Sequence, residues 1–191
     1  MTIETIDVPP DVARVSEGLR DTGYELNTAV ADIVDNSIAA GATIIDVRIA
    51  ADFMGNILVS VGDNGCGMNR EGLINAMKYG SKRREDPASL GKFGLGLKTA
   101  STAFCRRLSL VSRDQDNQDP IRASWDLDFM GQSNSWKLEL ATPAPHEIQL
   151  LDEVANGKAG TIVLWEKIDR VLTDYKKGDG KPLKNAIKRL E

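Results

Sequence analysis

Apolar and polar positions alternate with two periods along the chain. Val12, Val15 and Leu19 recur at helical spacing in "PDVARVSEGLRD" and predict a first helix that ends at Thr22-Gly23. A second helix is predicted over 25–40. Leu26, Val30, Ile33 and Ser37 line one stripe, Val34 and Ile38 flank it, and Gly41 is the stop. "TIIDVRIAA" and "NILVSVGD" read as strands joined by a turn at "DFMGN". "NREGLINAMKYG" reads as a short helix, "SKRREDPASLGKFG" as a polar loop, and "LGLKTASTAFCRR" as a helix that starts out of glycines. Strands follow at "RLSLVSR", "IRASWDL", "SWKLELA" and "GTIVLWEKI". Strands gather mainly after the helices, so the expected class is α+β: a two-layer α/β sandwich, a mixed sheet with helices on one face.

A chain of 191 residues, 41% hydrophobic and 27% charged, is long enough for one domain with a sizeable core and too apolar to be disordered. No apolar run approaches the roughly 18 residues of a membrane span. "MTIETIDVPPDV" has acids where a signal peptide needs a basic start. The expectation is a cytoplasmic protein without a membrane partner. The net charge of −4 argues against the domain as a whole attracting nucleic acid. Residues 176–191 are the exception: six lysines and arginines against two acids give +4, and the remainder carries −8. "NAIKRLE" stops in mid-pattern for a helix. We expect 1–24 to be an N-terminal segment able to contact a second copy, 25–170 to be the main domain, and 171–191 to lead toward a further domain. The basic run is either a solvated linker helix or the approach to a DNA-contacting domain.

Cys66, Cys105 and His146 are too few for a four-ligand zinc site, and two cysteines do not make a disulfide framework. No G-x-S-x-G elbow accompanies His146, which follows the turn-like "TPAP".

Three segments carry chemistry. In "VGDNGCGMN", Asp63 follows a strand, and Gly65 and Gly67 permit positive φ and close backbone approach, so the carboxylate can accept from a ligand amine or merely sit in an Asn-Gly turn. The loop lacks the acids of an EF-hand. "GKFGLGLKTAS" sets glycines before a helix, an arrangement whose free N–H groups and dipole suit phosphate, with Lys98 as an added charge. It is neither a P-loop nor a Rossmann turn. In "ADIVDNSIAAGA", Asp32 and Asn36 share a helix face one turn apart. They either face solvent or form a site in which the amide oxygen binds Mg²⁺ and the carboxylate handles water.

The order of these segments resembles the GHKL ATPases, the superfamily of DNA gyrase B, the ninety-kilodalton heat-shock chaperones, histidine kinases and MutL, whose nucleotide-binding unit is the Bergerat fold. "ELNTAVADIVDNSIAAGA" is similar to the N box, "GDNGCGMN" to the first glycine box and "GKFGLGLKTAS" to the second. "DNSIAAGA" and "GKFGLGLKTAS" look closest to the Microrchidia-type branch. The resemblance spans about 25–167. It implies ATP and Mg²⁺ as ligands, with Asn36 holding the metal. Asp63, with a water and Thr161, would recognise adenine in a pocket shaped by Gly65, Gly67 and Met68. Gly91, Lys92, Phe93, Gly94, Leu95, Gly96, Leu97 and Lys98 would surround the phosphates. Residues 78–90, including Lys82, would form the lid. It further implies an ATP-dependent homodimer acting on a macromolecular client, DNA or protein.

Two departures bear on the rate. Asp32 stands where hydrolytic members usually carry Glu as the base, and its side chain is shorter by one C–C bond, about 1.5 Å. A misplacement of about 1 Å can cost on the order of 100-fold. Asp35 is a further acid that could share that face or pair with a base. These ATPases also often take a lysine from a following transducer domain. Low turnover is therefore expected of residues 1–191 alone. A steady-state rate equal to that of a longer chain carrying the next domain contradicts this expectation.

Overall fold

The direction of alternate side chains along the strands determines which helices each face of the sheet receives. The structure is a computed structural model that describes residues 3–51, 56–81, 95–116 and 119–170. In chain order its elements are α1 (Val12–Arg20), α2 (Leu26–Ala39), β1 (Ile45–Ala51), β2 (Ile57–Asp63), α3 (Arg70–Met77), α4 (Gly96–Thr102), β3 (Cys105–Arg113), β4 (Ile121–Asp126), α5 (Leu127–Ser133), β5 (Glu139–Ala141), α6 (Pro145–Ala155) and β6 (Gly160–Ile168). Val59 and Val61, Leu108 and Leu110, Ala123 and Trp125, Val163 and Trp165 all point to one face and form the main core with Ala29, Val30 and Ile33 of α2, Leu73 and Met77 of α3 and Ala100 of α4. The strands run β1-β2-β6-β3-β4-β5, so the last strand in sequence is central.

The α+β sandwich expected from the sequence is present, with two differences. Every strand pair is antiparallel, so the sheet is not mixed. Helices also cover both faces. Val111, Ile162 and Leu164 turn the other way and bury Leu151, Val154 and Ala155 of α6. Sequence reading placed His146 in a loop, whereas it lies exposed in the first turn of α6. Pro145 opens this helix at a position where its missing N–H costs nothing, and Glu147 accepts from the Ala144 N–H at 2.7 Å. Glu147 also pairs with Arg122 of β4 at 3.2 Å, which fastens α6 to the sheet.

Other boundaries shift for local reasons. The helix expected to run through Arg107 ends at Thr102, because Cys105, Leu108 and Leu110 join the ladder against β6. The short α5 follows a cap in which Asp126 accepts from the Asp128 and Phe129 N–H groups. The inner face of α1 is Val12, Ser16 and Arg20, while Val15 is 37% exposed. Arg20 is tolerated inside because its Nε donates to the Thr102 carbonyl at 2.7 Å and Nη2 pairs with Asp169. Residues 52–55 of the expected turn, residues 82–94 of the expected polar loop and residues 171–191 lie outside the described residues. Among the described residues, no helix is long and apolar enough to cross a membrane.

Ile33 is 1% exposed at the centre of the α2–sheet contact. Ile33→Ala should lower unfolding free energy by about 2–5 kcal/mol, read from the urea midpoint.

Candidate functional site

Three adjacent strands, β2, β6 and β3, exchange their apolar stripe for polar groups at one end of the sheet, where β2 meets α2. The pleat puts Asp63 in line with Val59 and Val61, Thr161 with Val163 and Trp165, and Ser112 with Leu108 and Leu110. Thr161 is cross-strand partner to Asp63 on one side and to Ser112 on the other. Register thus brings together two predicted residues nearly a hundred positions apart.

Asp63 is 5% exposed, and its carboxylate is held by donors. Oδ2 accepts from the Ser37 hydroxyl at 2.8 Å and Oδ1 from the Gly65 N–H at 2.9 Å. The Ser112 and Thr161 hydroxyls lie 2.8 Å apart, and Ser112 Oγ accepts from the Met68 N–H at 2.8 Å. The bend after Asp63 is tied to its surroundings. Cys66 N–H donates to the Ala40 carbonyl at 3.0 Å, and Asn64 Oδ1 accepts from the Thr43 and Ile44 N–H groups, each at 2.8 Å. At Gly67, φ is +64°, and a Cβ would sit 1.8 Å from the Arg113 carbonyl oxygen, so only glycine fits.

Above this floor, α2 presents Asn36 and Asp35 to solvent and holds Asp32 half-buried. Asn36 Nδ2 donates to the Asp32 carbonyl at 2.7 Å, which leaves Oδ1 as the amide atom for an incoming ligand. Asp32 Oδ2 accepts from the Tyr24 hydroxyl at 3.0 Å. The same oxygen is 3.7 Å from where a Cβ on Gly96 would lie, so the carboxylate also meets the start of α4. Leu95, Gly96 and Leu97 are half-buried there. Lys82, Gly91, Lys92, Phe93 and Gly94 lie outside the described residues.

Lys98 sits differently from its neighbours. It is 2% exposed, and its ammonium donates to the Ala76 carbonyl of α3 at 2.9 Å. Burial lowers its pKa to about 8, because a desolvated ammonium gives up its proton more readily.

Sequence reading missed Ser37, Ser112 and Tyr24 as parts of the site. The first two leave a trace, since each is a hydroxyl at an inward position of an apolar stripe. Tyr24 leaves none, because its reach to Asp32 depends on how the chain enters α2.

A buried Asp63 facing Thr161 under an Asp32-x-x-x-Asn36 helix is the arrangement against which relatives can be compared. Residues 24–161 match the model of the histidine kinase-, DNA gyrase B- and HSP90-like ATPase family. The chain belongs to this family of GHKL ATPases. It is 34% identical over 134 residues to the DNA mismatch repair protein MutL of Neisseria meningitidis, a match covering 66% of this chain and 18% of that protein. It is 31% identical over 134 residues to MutL of Actinobacillus succinogenes, covering 68% and 20%. The mouse ATPase MORC2B is 30% identical over 92 residues, covering 46% and 9%, in keeping with the Microrchidia-like features of the boxes. The matched region is thus a fifth or less of the length of each of these relatives.

The pKa of Lys98 falls from 10.5 unfolded to about 8 folded, so the unfolded chain binds the extra proton between these values. The contribution of this group to stability is lowest below pH 8 and rises as pH increases through the window. Urea unfolding at pH 7 and pH 9.5 should therefore show wild type gaining stability relative to Lys98→Met at the higher pH.

Proposed function

We propose that this chain binds ATP with Mg²⁺ and hydrolyses it slowly, and that binding closes the 78–90 lid and joins two copies of a larger protein. The juxtaposition of Asp63 and Thr161 beneath Asp32 and Asn36 carries this reading. Asp63 is a fixed acceptor suited to an exocyclic amine, and Gly65 and Gly67 shape the bend beside it by packing closely on Ala40 and Arg113. Asn36 Oδ1 is a hard, accessible oxygen of the kind Mg²⁺ takes while keeping its waters. When bound, the metal would neutralise charge on the phosphates. Asp32, one turn away, would orient and deprotonate the attacking water. Its reach is about 1.5 Å shorter than that of Glu, which supports a low rate. Leu95, Gly96 and Leu97 would offer backbone to the phosphates, as would Gly91 to Gly94, with Lys82 and Lys92 adding charge; Lys98, buried with its ammonium on the Ala76 carbonyl, would reach them only by leaving that bond. Exposed Ile3, Ile6 and Val8 in the N-terminal segment support contact with a second copy. A macromolecular client, DNA or protein, fits the kinship with a mismatch repair protein.

The second reading is a nucleotide-gated interaction module with little catalysis, and the shortened acid at position 32 favours it. A histidine kinase role has less support: His146 lies on the helix that covers the opposite face of the sheet from α2.

Isothermal titration with a non-hydrolysable ATP analogue should show Mg²⁺-dependent binding. Asp63→Asn should weaken it at least about tenfold by removing the amine acceptor. Asp32→Ala should keep binding and lose about 100-fold in turnover. Absence of binding by wild type, or unchanged binding by Asp63→Asn, overturns the proposal.

A further inference from the structure

The base assigned above is itself held by a residue outside the three boxes. Tyr24 precedes α2 by two residues, and its ring packs, partly buried, on the main core. Its hydroxyl donates to Asp32 Oδ2 at 3.0 Å. Thr99 of α4 lies beside the same hydroxyl. Tyr24, Asp32 and Thr99 therefore come from three parts of the chain and meet at the junction of α2 with the second glycine box.

A carboxylate that serves as base needs one oxygen free for water and a fixed direction for that oxygen. Asp has two side-chain torsions, and an unrestrained Asp32 would spread its oxygens over a broad range of the terminal one. A phenol on Oδ2 removes that freedom and leaves Oδ1 unengaged by Tyr24. The aromatic ring is a stiff lever, since its own position is set by core packing.

We infer that Tyr24 is a positioning residue for hydrolysis, holding the short Asp32 carboxylate by Oδ2 so that Oδ1 meets the attacking water. This rests on the assignment of Asp32 as base. Burial, and after it the Asp32 carboxylate, push the Tyr24 hydroxyl above its ordinary pKa, so it stays protonated and donating through neutral pH.

The experiment is single-turnover hydrolysis of labelled Mg-ATP by the 191-residue chain, with analogue binding measured in parallel. Tyr24→Phe keeps the ring and removes only the donor. It should lower the hydrolysis rate about tenfold, leave the analogue Kd within twofold and cause no further loss in an Asp32→Ala background. An unchanged or faster rate, or an equal loss in the Asp32→Ala background, overturns the inference. A second measurement does not need turnover: in protein carrying ring-labelled tyrosine, Asp32→Asn should lower the Tyr24 pKa, and an unmoved titration shows that the bond is absent in solution. If wild type binds no nucleotide, the proposed function fails on its own and the titration still reads the Tyr24–Asp32 contact. If it binds without turnover, the base assignment and this inference fall together.

Discussion

A carboxylate buried among apolar strands must be surrounded by donors, and Asp63 imposes that demand on everything around it. Ser37 satisfies one oxygen, which fixes the rotation of α2 about its axis. The Gly65 N–H satisfies the other, which requires the chain to bend directly after β2. That bend brings Gly67 against the Arg113 carbonyl and so aligns the ends of β2 and β3. Rotation of α2 in turn carries Asp32 and Asn36 to the mouth of the site. The bend after β2 and the rotation of α2 therefore share one buried hydrogen-bonded node.

The treatment of charge differs across the molecule. On α1, Arg20 is buried yet fully engaged by the Thr102 carbonyl and by Asp169. Lys98 is buried against a single carbonyl, and its lowered pKa records the incomplete compensation. On the α6 side of the sheet, Arg122 of β4 pairs with Glu147 of α6 and with Glu166 of β6, beside the small apolar patch around Leu151.

Much of this was legible in the sequence. Period 3.6 marked α2 because a long helix against a sheet must show an apolar stripe, and Ser37 fell on that stripe without its bond to Asp63 being foreseen. Alternation marked β2, β3, β4 and β6 for the same reason. The roles expected of Asp63, Asn36 and Thr161 rested on the order of the boxes, because the local signals at Asp63 and Asn36 left a turn or a solvent-facing pair equally open. What escaped depended on tertiary contacts. The α6 helix was hidden because its opening Pro145 also reads as a turn residue and its apolar face is only a few residues wide. The inward face of α1 carries Ser16 and Arg20, which no hydrophobic pattern selects. Tyr24 meets Asp32 only because of the angle at which the chain enters α2.

The position of β6 has a consequence for how the molecule is made. It is the last strand described, yet it lies between β2 and β3. Until it emerges from the ribosome, β1-β2 and β3-β4-β5 are separate half-sheets, each with an unpaired edge open to other chains. Its docking is a long-range closure, slow by its topology, and it delivers Thr161 to Asp63 in the same event. The Asp63–Thr161 pair therefore comes into existence only as the sheet becomes continuous, so in a nascent chain this polar node forms no earlier than the core around it.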